Sequence, residues 1–172
     1  CEDDSERCPA VQALLEGDAS LGELNWFLSH ATPQDRTDIF AFYDSFESPV
    51  FDSAPQFIVE DFMFPYEEGL KFVQYLYDRG GWDAVDRAYL DTPVSTEQIL
   101  HPERYPDDIP TPVDLPDLSE ILGDGWEEYD KGVVGEWYSY LILAHGQDER
   151  AQQSTGDSAE AAEGWGGDSY VV

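Results

Sequence analysis

The chain has 172 residues, 41% of them hydrophobic and 14% aromatic, enough for one compact domain with a core and too apolar for disorder over most of its length. Thirty-eight Asp and Glu stand against eight Lys and Arg, a net charge of −30; that field repels nucleic acid and anionic membranes and attracts cations and basic partners. No apolar run approaches the roughly 20 residues that cross a bilayer, and no basic segment leads into an apolar one as in a signal peptide.

The chain is therefore expected to be processed, or to lack the start of its precursor. An acidic surface also suits a high-salt setting, where salt screens self-repulsion, and the sequence leaves both explanations open.

The two cysteines are Cys1 and Cys8. A disulfide between them would close a short loop, worth about 2–3 kcal/mol in the loop-entropy description, and implies an oxidising compartment. Free thiols, a bond to a missing segment, and a lipid-bearing Cys1 are the alternatives. Cys-x6-Cys with no nearby His makes a poor zinc knuckle.

From Pro9 to about Leu28 the spacing of Val11, Leu14, Leu15 and Leu21 predicts a helix, with Pro9 in its first turn. Thr32 caps a second, from Pro33 to Phe46, which Ser48-Pro49 ends. A dense apolar stretch, Pro55 to Phe64, precedes Pro65, after which a helix should run to Arg79 and stop at Gly80-Gly81. Trp82 to Leu90 reads as a short helix. Ser95 starts another, with Gln98 completing a capping box.

Residues 102–117 hold Pro102, Pro106, Pro110, Pro112 and Pro116, an extended connection. A short helix is expected at Asp117–Leu122, a strand at Trp126–Lys131 and a buried helix at Val133–His145. Gln147–Asp157 reads as a mobile polar loop and Ala159–Glu163 as a helical turn. Tyr170-Val171-Val172 begins a strand with nothing to pair with.

The helical spacing places Asp18 on the apolar face of the first helix. A buried carboxylate needs a donor such as a His, an Arg or a metal-bound group; the alternative is a helix-bending position beside Gly17. Glu16 faces elsewhere, and one Glu is not a metal site. His30, His101 and His145 are far apart and outside any HExxH spacing, so each reads first as a capping or hydrogen-bonded residue. No nucleophile elbow, phosphate loop or reactive-cysteine motif is present. Asp107-Asp108 and Glu2-Asp3-Asp4 offer at most weak calcium binding.

Several strings then matter together: Leu-Leu-Glu-Gly-Asp-Ala (14–19), Phe-Pro-Tyr-Glu-Glu-Gly (64–69), Gly80-Gly81-Trp82, Ser-Thr-Glu-Gln-Ile-Leu-His-Pro-Glu-Arg-Tyr (95–105), Leu-Pro-Asp-Leu (115–118) and Gly-Trp-Gly-Gly-Asp (164–168). In this order, over nearly the whole chain, they resemble secreted or lipid-anchored gluzincin-like proteins of Chloroflexi and haloarchaea, mostly uncharacterised zinc metallopeptidases; residues 95–105 are the most specific part.

The resemblance implies an HExxH helix supplying two His ligands and the Glu that activates zinc-bound water, with Glu16 as third zinc ligand. It makes Asp18 a helper beside the metal, and His101 and Tyr105 substrate-side or structural residues. Two departures stand out. HExxH is absent from the chain, and Ser169 occupies the position where Arg is expected.

The expected fold is mainly α: helices in orthogonal packing, a long Pro-rich connection and at most one or two short strands, like a gluzincin C-terminal subdomain. The expected organisation is a single helical domain, or a fragment of a larger protein. Residues 1–8 form an N-terminal Cys loop, 9–101 a helical core, 102–117 the Pro-rich connection, and 118–172 the C-terminal helices and strand start. By itself the chain is expected to be non-catalytic: part of an exported metallopeptidase, extracellular or on the cell surface, that holds zinc only with a companion segment of its precursor. The alternative is an inactive extracellular assembly protein whose partners are copies of itself.

Overall fold

Two long helices meet through small residues. Residues 5–116, 118–123, 125–146 and 155–172 are described by a computed structural model. Helix α1 (Arg7–Ser29) buries Ala10, Ala13, Leu14, Gly17 and Leu21, one stripe at helical spacing. Helix α4 (Gln56–Gly80) buries Phe64, Pro65, Gly69, Phe72, Val73 and Leu76.

At their crossing the backbones touch. A Cβ on Gly17 would lie 2.1 Å from the carbonyl oxygen of Gly69, and one on Gly69 would lie 2.2 Å from that of Ala13. No side chain fits between helices so close.

Between these helices lie α2 (Pro33–Ser45) and the short α3 (Pro49–Asp52), neither of which buries a residue. Thr32 caps α2 as expected, and the Asp35 side chain returns the bond in a full capping box. Arg36 ties α2 back to α1: its Nη2 donates to the carbonyls of Phe27 at 2.8 Å and Leu28 at 3.3 Å. The guanidinium lies 4.6 Å from the centre of the Phe27 ring.

After α4 come α5 (Trp82–Ala88), α6 (Thr96–Leu100) and the extended, Pro-rich stretch. Then follow α7 (Ser119–Leu122), β1 (Lys131–Gly132), α8 (Gly135–His145), α9 (Thr155–Ala162) and β2 (Tyr170–Val171). The fold is mainly α, with one two-stranded sheet among the described residues. No helix among them is long and apolar enough to cross a membrane.

Four expectations are corrected. The apolar stretch before Pro65 and the helix after it are one helix: Pro65 lies inside α4. A proline there costs about 3 kcal/mol through a lost hydrogen bond and a clash, which burial of Phe64 and Pro65 against the core offsets. The expected strand over Trp126–Lys131 is reduced to its end: β1 starts at Lys131, and of residues 126–130 only Tyr129 and Asp130 make backbone bonds among the described residues, both to Val172.

Tyr170-Val171 does have a partner. It pairs antiparallel with β1, Lys131 opposite Val171 and Gly132 opposite Tyr170. Finally, residues 155–157, expected in a loop, are the first turn of α9; the rest of that loop, 147–154, lies outside the described residues.

Candidate functional site

The string Ser95–Tyr105 organises a buried polar hub. Ser95, Thr96, Glu97 and Gln98 are all buried, and each is held by a bond. Ser95 Oγ caps α6 by accepting from the Gln98 N–H at 3.3 Å. The capping box is only half formed, because the Gln98 side chain turns outward from the helix start. Its Oε1 accepts from the Val94 N–H at 2.8 Å, and its Nε2 donates to the Asp108 carbonyl at 2.7 Å.

Thr96 donates twice to Glu6 Oε2, from its N–H at 2.9 Å and its hydroxyl at 2.8 Å. Thr96 Oγ1 also accepts from the Trp137 N–H at 3.2 Å, at the start of α8. Gly135 makes room for this junction. It has φ +78°, and a Cβ there would lie 1.9 Å from Glu6 Oε1.

Three contacts to carboxylates, two from Arg104 and one from His101, complete the hub. Arg104 Nη1 bonds Glu97 Oε1, and Arg104 Nη2 lies 3.7 Å from Glu163. His101 Nε2 lies 2.7 Å from Glu136 Oε1, with Glu136 only 3% exposed. Glu136 Oε2 is buried without a hydrogen-bond partner. Burial pushes the carboxyls of Glu97 and Glu136 above the usual range, while the Arg104 bond on Glu97 and the His101 bond on Glu136 pull back.

The hub opens onto a cavity of about 830 Å³ between α4, α6, α8 and α9, lined in part by His101, Glu136, Trp137 and Tyr140. On its α4 side Glu60 accepts from the Tyr140 hydroxyl at 2.9 Å and lies 3.2 Å from His145 Nε2. Burial acts against it, but hydrogen bonds led by that from His145 hold the Glu60 carboxyl below its ordinary value. Burial and Glu60 together push the Tyr140 hydroxyl up to about 12.

The expected site residues divide between this hub and other places. His101 faces the cavity. Tyr105 packs into the body: its hydroxyl donates to the Asp91 carbonyl at 2.5 Å, and its ring meets Phe72 edge-on at 5.3 Å. Asp18 is half-buried and finds its donor in neither a His, an Arg nor a metal-bound group. The Tyr89 hydroxyl donates to its Oδ2 at 2.7 Å, and burial together with that carboxylate raises the Tyr89 pKa strongly. Glu16 is half-buried on α1, beside Leu15, which is 51% exposed.

Among the described residues no three His, Cys, Asp or Glu converge as a metal site. Cys8 is half-buried on α1; its pairing with Cys1, and the Glu2-Asp3-Asp4 cluster, lie outside the described residues. All three histidines sit at helix C-termini. His30 follows α1, His101 follows α6 and His145 ends α8.

Sequence reasoning missed Glu6, Glu60, Glu97, Arg104 and Glu136. One signal was available for Glu136, an acidic residue in the first turn of the otherwise apolar helix Gly-Glu-Trp-Tyr-Ser-Tyr-Leu-Ile-Leu-Ala-His. The Gly-Trp-Gly-Gly-Asp-Ser string acquires a structural part. Asp168 accepts from the Val134 N–H at 2.8 Å and from Trp165 Nε1 at 3.0 Å. Ser169, where Arg was expected, donates to the Val113 carbonyl at 2.7 Å. No family model, no curated protein and no solved structure matches this chain.

Proposed function

We propose that this chain is the C-terminal helical part of an exported gluzincin-like zinc metallopeptidase, extracellular or at the cell surface, with Glu16 as one zinc ligand and the HExxH segment outside these residues. The observation that carries the reading is the outward face of α1. Its inner stripe is locked onto α4, whereas Leu15, Ala19 and Trp26, spaced i, i+4 and i+11, lie exposed. Gly22 falls on the same line, and a Cβ there would have nothing within 4 Å.

Such a face, apolar with small residues, accepts a second helix at close range, and Glu16 borders it. A helix bearing two His ligands would there meet the third. Zinc, when bound, would polarise a carbonyl and activate water. This chain's own part is to present Glu16 on a helix that cannot shift, because α1 is pinned at Gly17. Asp18, held by Tyr89, stiffens the same turn rather than touching the metal. No catalytic step is assigned to this chain, whose residues supply one ligand.

Zinc content of the protein isolated with its native companions tests the reading. One zinc per molecule and peptide cleavage are expected, both lost in Glu16→Ala with the helical signal intact. Zinc unchanged in that variant would refute the assignment.

The arm formed by α2 and α3 favours a second reading, an inactive assembly component built from copies of itself. Phe40, Phe42, Tyr43 and Phe46 are each 60–64% exposed, an aromatic surface suited to contact. A metal-free ordered polymer that dissolves on replacing Phe42 and Phe46 would favour it.

A further inference from the structure

We infer that the cavity between α4, α8 and α9 binds an organic cation that carries N–H donors, a primary ammonium or guanidinium group on an apolar stem. The inference is independent of Glu16 and of zinc. Six carboxylates line the cavity, those of Glu60, Glu67, Glu68, Glu136, Glu160 and Glu163, and no Lys or Arg among the described residues does. That lining alone would be a solvated acidic surface.

What singles it out is Glu136. The residue is 3% exposed and lines the cavity, its Oε1 is taken by His101, and its Oε2 has no partner. A buried carboxylate oxygen left without a donor is costly, and a charged N–H donor arriving from the cavity would satisfy it.

Shape and chemistry narrow the class. About 830 Å³ suits a small molecule or a long side chain. The carboxylates do not converge on one point, since no three acidic or His groups gather at metal-binding distance among the described residues. A cation with several spread donors matches them better than a bare ion. The aromatic wall supplies the rest: Trp137 lies 4.5 Å from Phe64 and 5.2 Å from Tyr140, ring centre to ring centre, and all three line the cavity. Aromatic faces attract organic cations and cover an apolar stem. The net charge of −30 draws such ligands in.

The chemistry is shared by a free amine or guanidine and by a Lys or Arg side chain of a peptide, and titration calorimetry on the whole chain separates them. The probes are agmatine, a blocked Gly-Arg-Gly peptide and tetramethylammonium, in about 0.3 M salt to screen the general field. Saturable one-site binding is expected for agmatine or the peptide, the tighter of the two naming the source. Tetramethylammonium, which has no N–H, should bind about tenfold more weakly.

Glu136→Gln should weaken the tighter probe about tenfold, with folding checked by circular dichroism. Glu67→Gln, a rim change outside the hub, should weaken it several-fold and serves as the readout if Glu136→Gln unfolds. Non-saturable binding, equal binding of tetramethylammonium, or no effect of Glu67→Gln together with none of a folded Glu136→Gln would overturn the inference.

Discussion

Phe72 and Phe42 are the same residue on helices of one chain, yet Phe72 is fully buried and Phe42 is 60% exposed. The first lies on α4, which small residues let approach α1 to backbone contact. The second lies on α2, whose tie to the body is Arg36 and an edge-on contact of Phe40 with Phe27 at 6.1 Å. Apolar content alone did not make a core in the arm. In the body a core exists because Gly17 and Gly69 remove bulk at the crossing and because the buried side chains of Ser95–Gln98 each find a bonding partner.

The sharpest way to break this contrast is at the crossing. Gly17→Ala drives a methyl group into the Gly69 carbonyl, which is backbone and cannot rotate away. A loss of about 3 kcal/mol or more is expected, read as a lower urea midpoint. Gly22 on the outer face of the same helix has open space, so Gly22→Ala should show no such loss.

Next in size is Arg104→Ala. It leaves Glu97, whose side chain is 4% exposed, without its cation. Removing one partner of a buried pair costs about 3–5 kcal/mol; Arg104 is 27% exposed, and water entering its place should cut the loss to about 2 kcal/mol.

A smaller effect concerns pH. Glu97 and Glu136 have carboxyls raised above the ordinary value of 4.5, first by burial. The folded state therefore holds more protons than the unfolded one as pH rises from that value through the raised ones, so stability falls over that window. The melting temperature should increase on going from pH 7 to pH 5, and Glu136→Gln should flatten the slope. Asp35 and Glu60, lowered from 3.8 and 4.5, act in the opposite sense below that window.

Smallest of all is Phe42→Ser in the arm. Its stability change should stay within about 0.5 kcal/mol. A change of about 2 kcal/mol in denaturant melts, the size of a core truncation, would mean the arm packs more firmly than its exposure indicates.

The helices are legible where local chemistry decides them. Val11, Leu14 and Leu21 announce α1, Thr32 and Pro33 open α2, and Ser95 opens α6. Legibility fails where distant residues decide. Pro65 reads as a break in isolation, and only its burial against other elements shows why the helix continues through it. Tyr170 lacks a visible partner because Lys131 and Gly132 lie far back in the chain. Asp18 announces its need for a donor, but nothing local points to Tyr89.

For the site, the string 95–105 stands out, yet its bonds run to Glu6, Glu136 and Glu163. Those partners follow from tertiary packing, which periodicity does not encode. The aromatics of α2 have the spacing of an ordinary buried stripe, because spacing reveals a face and not what covers it.

The hub collects two carboxylates that lie far apart in sequence, Glu6 and Glu163. A ribosome delivers these about 150 residues apart, so the junction stays open until the second has emerged. Until α8 and α9 emerge, Thr96 and Arg104 have only part of their partners. Maturation of this region thus waits on α8 and α9, and a nascent chain arrested before residue 135 should remain sensitive to protease around the Ser95 turn.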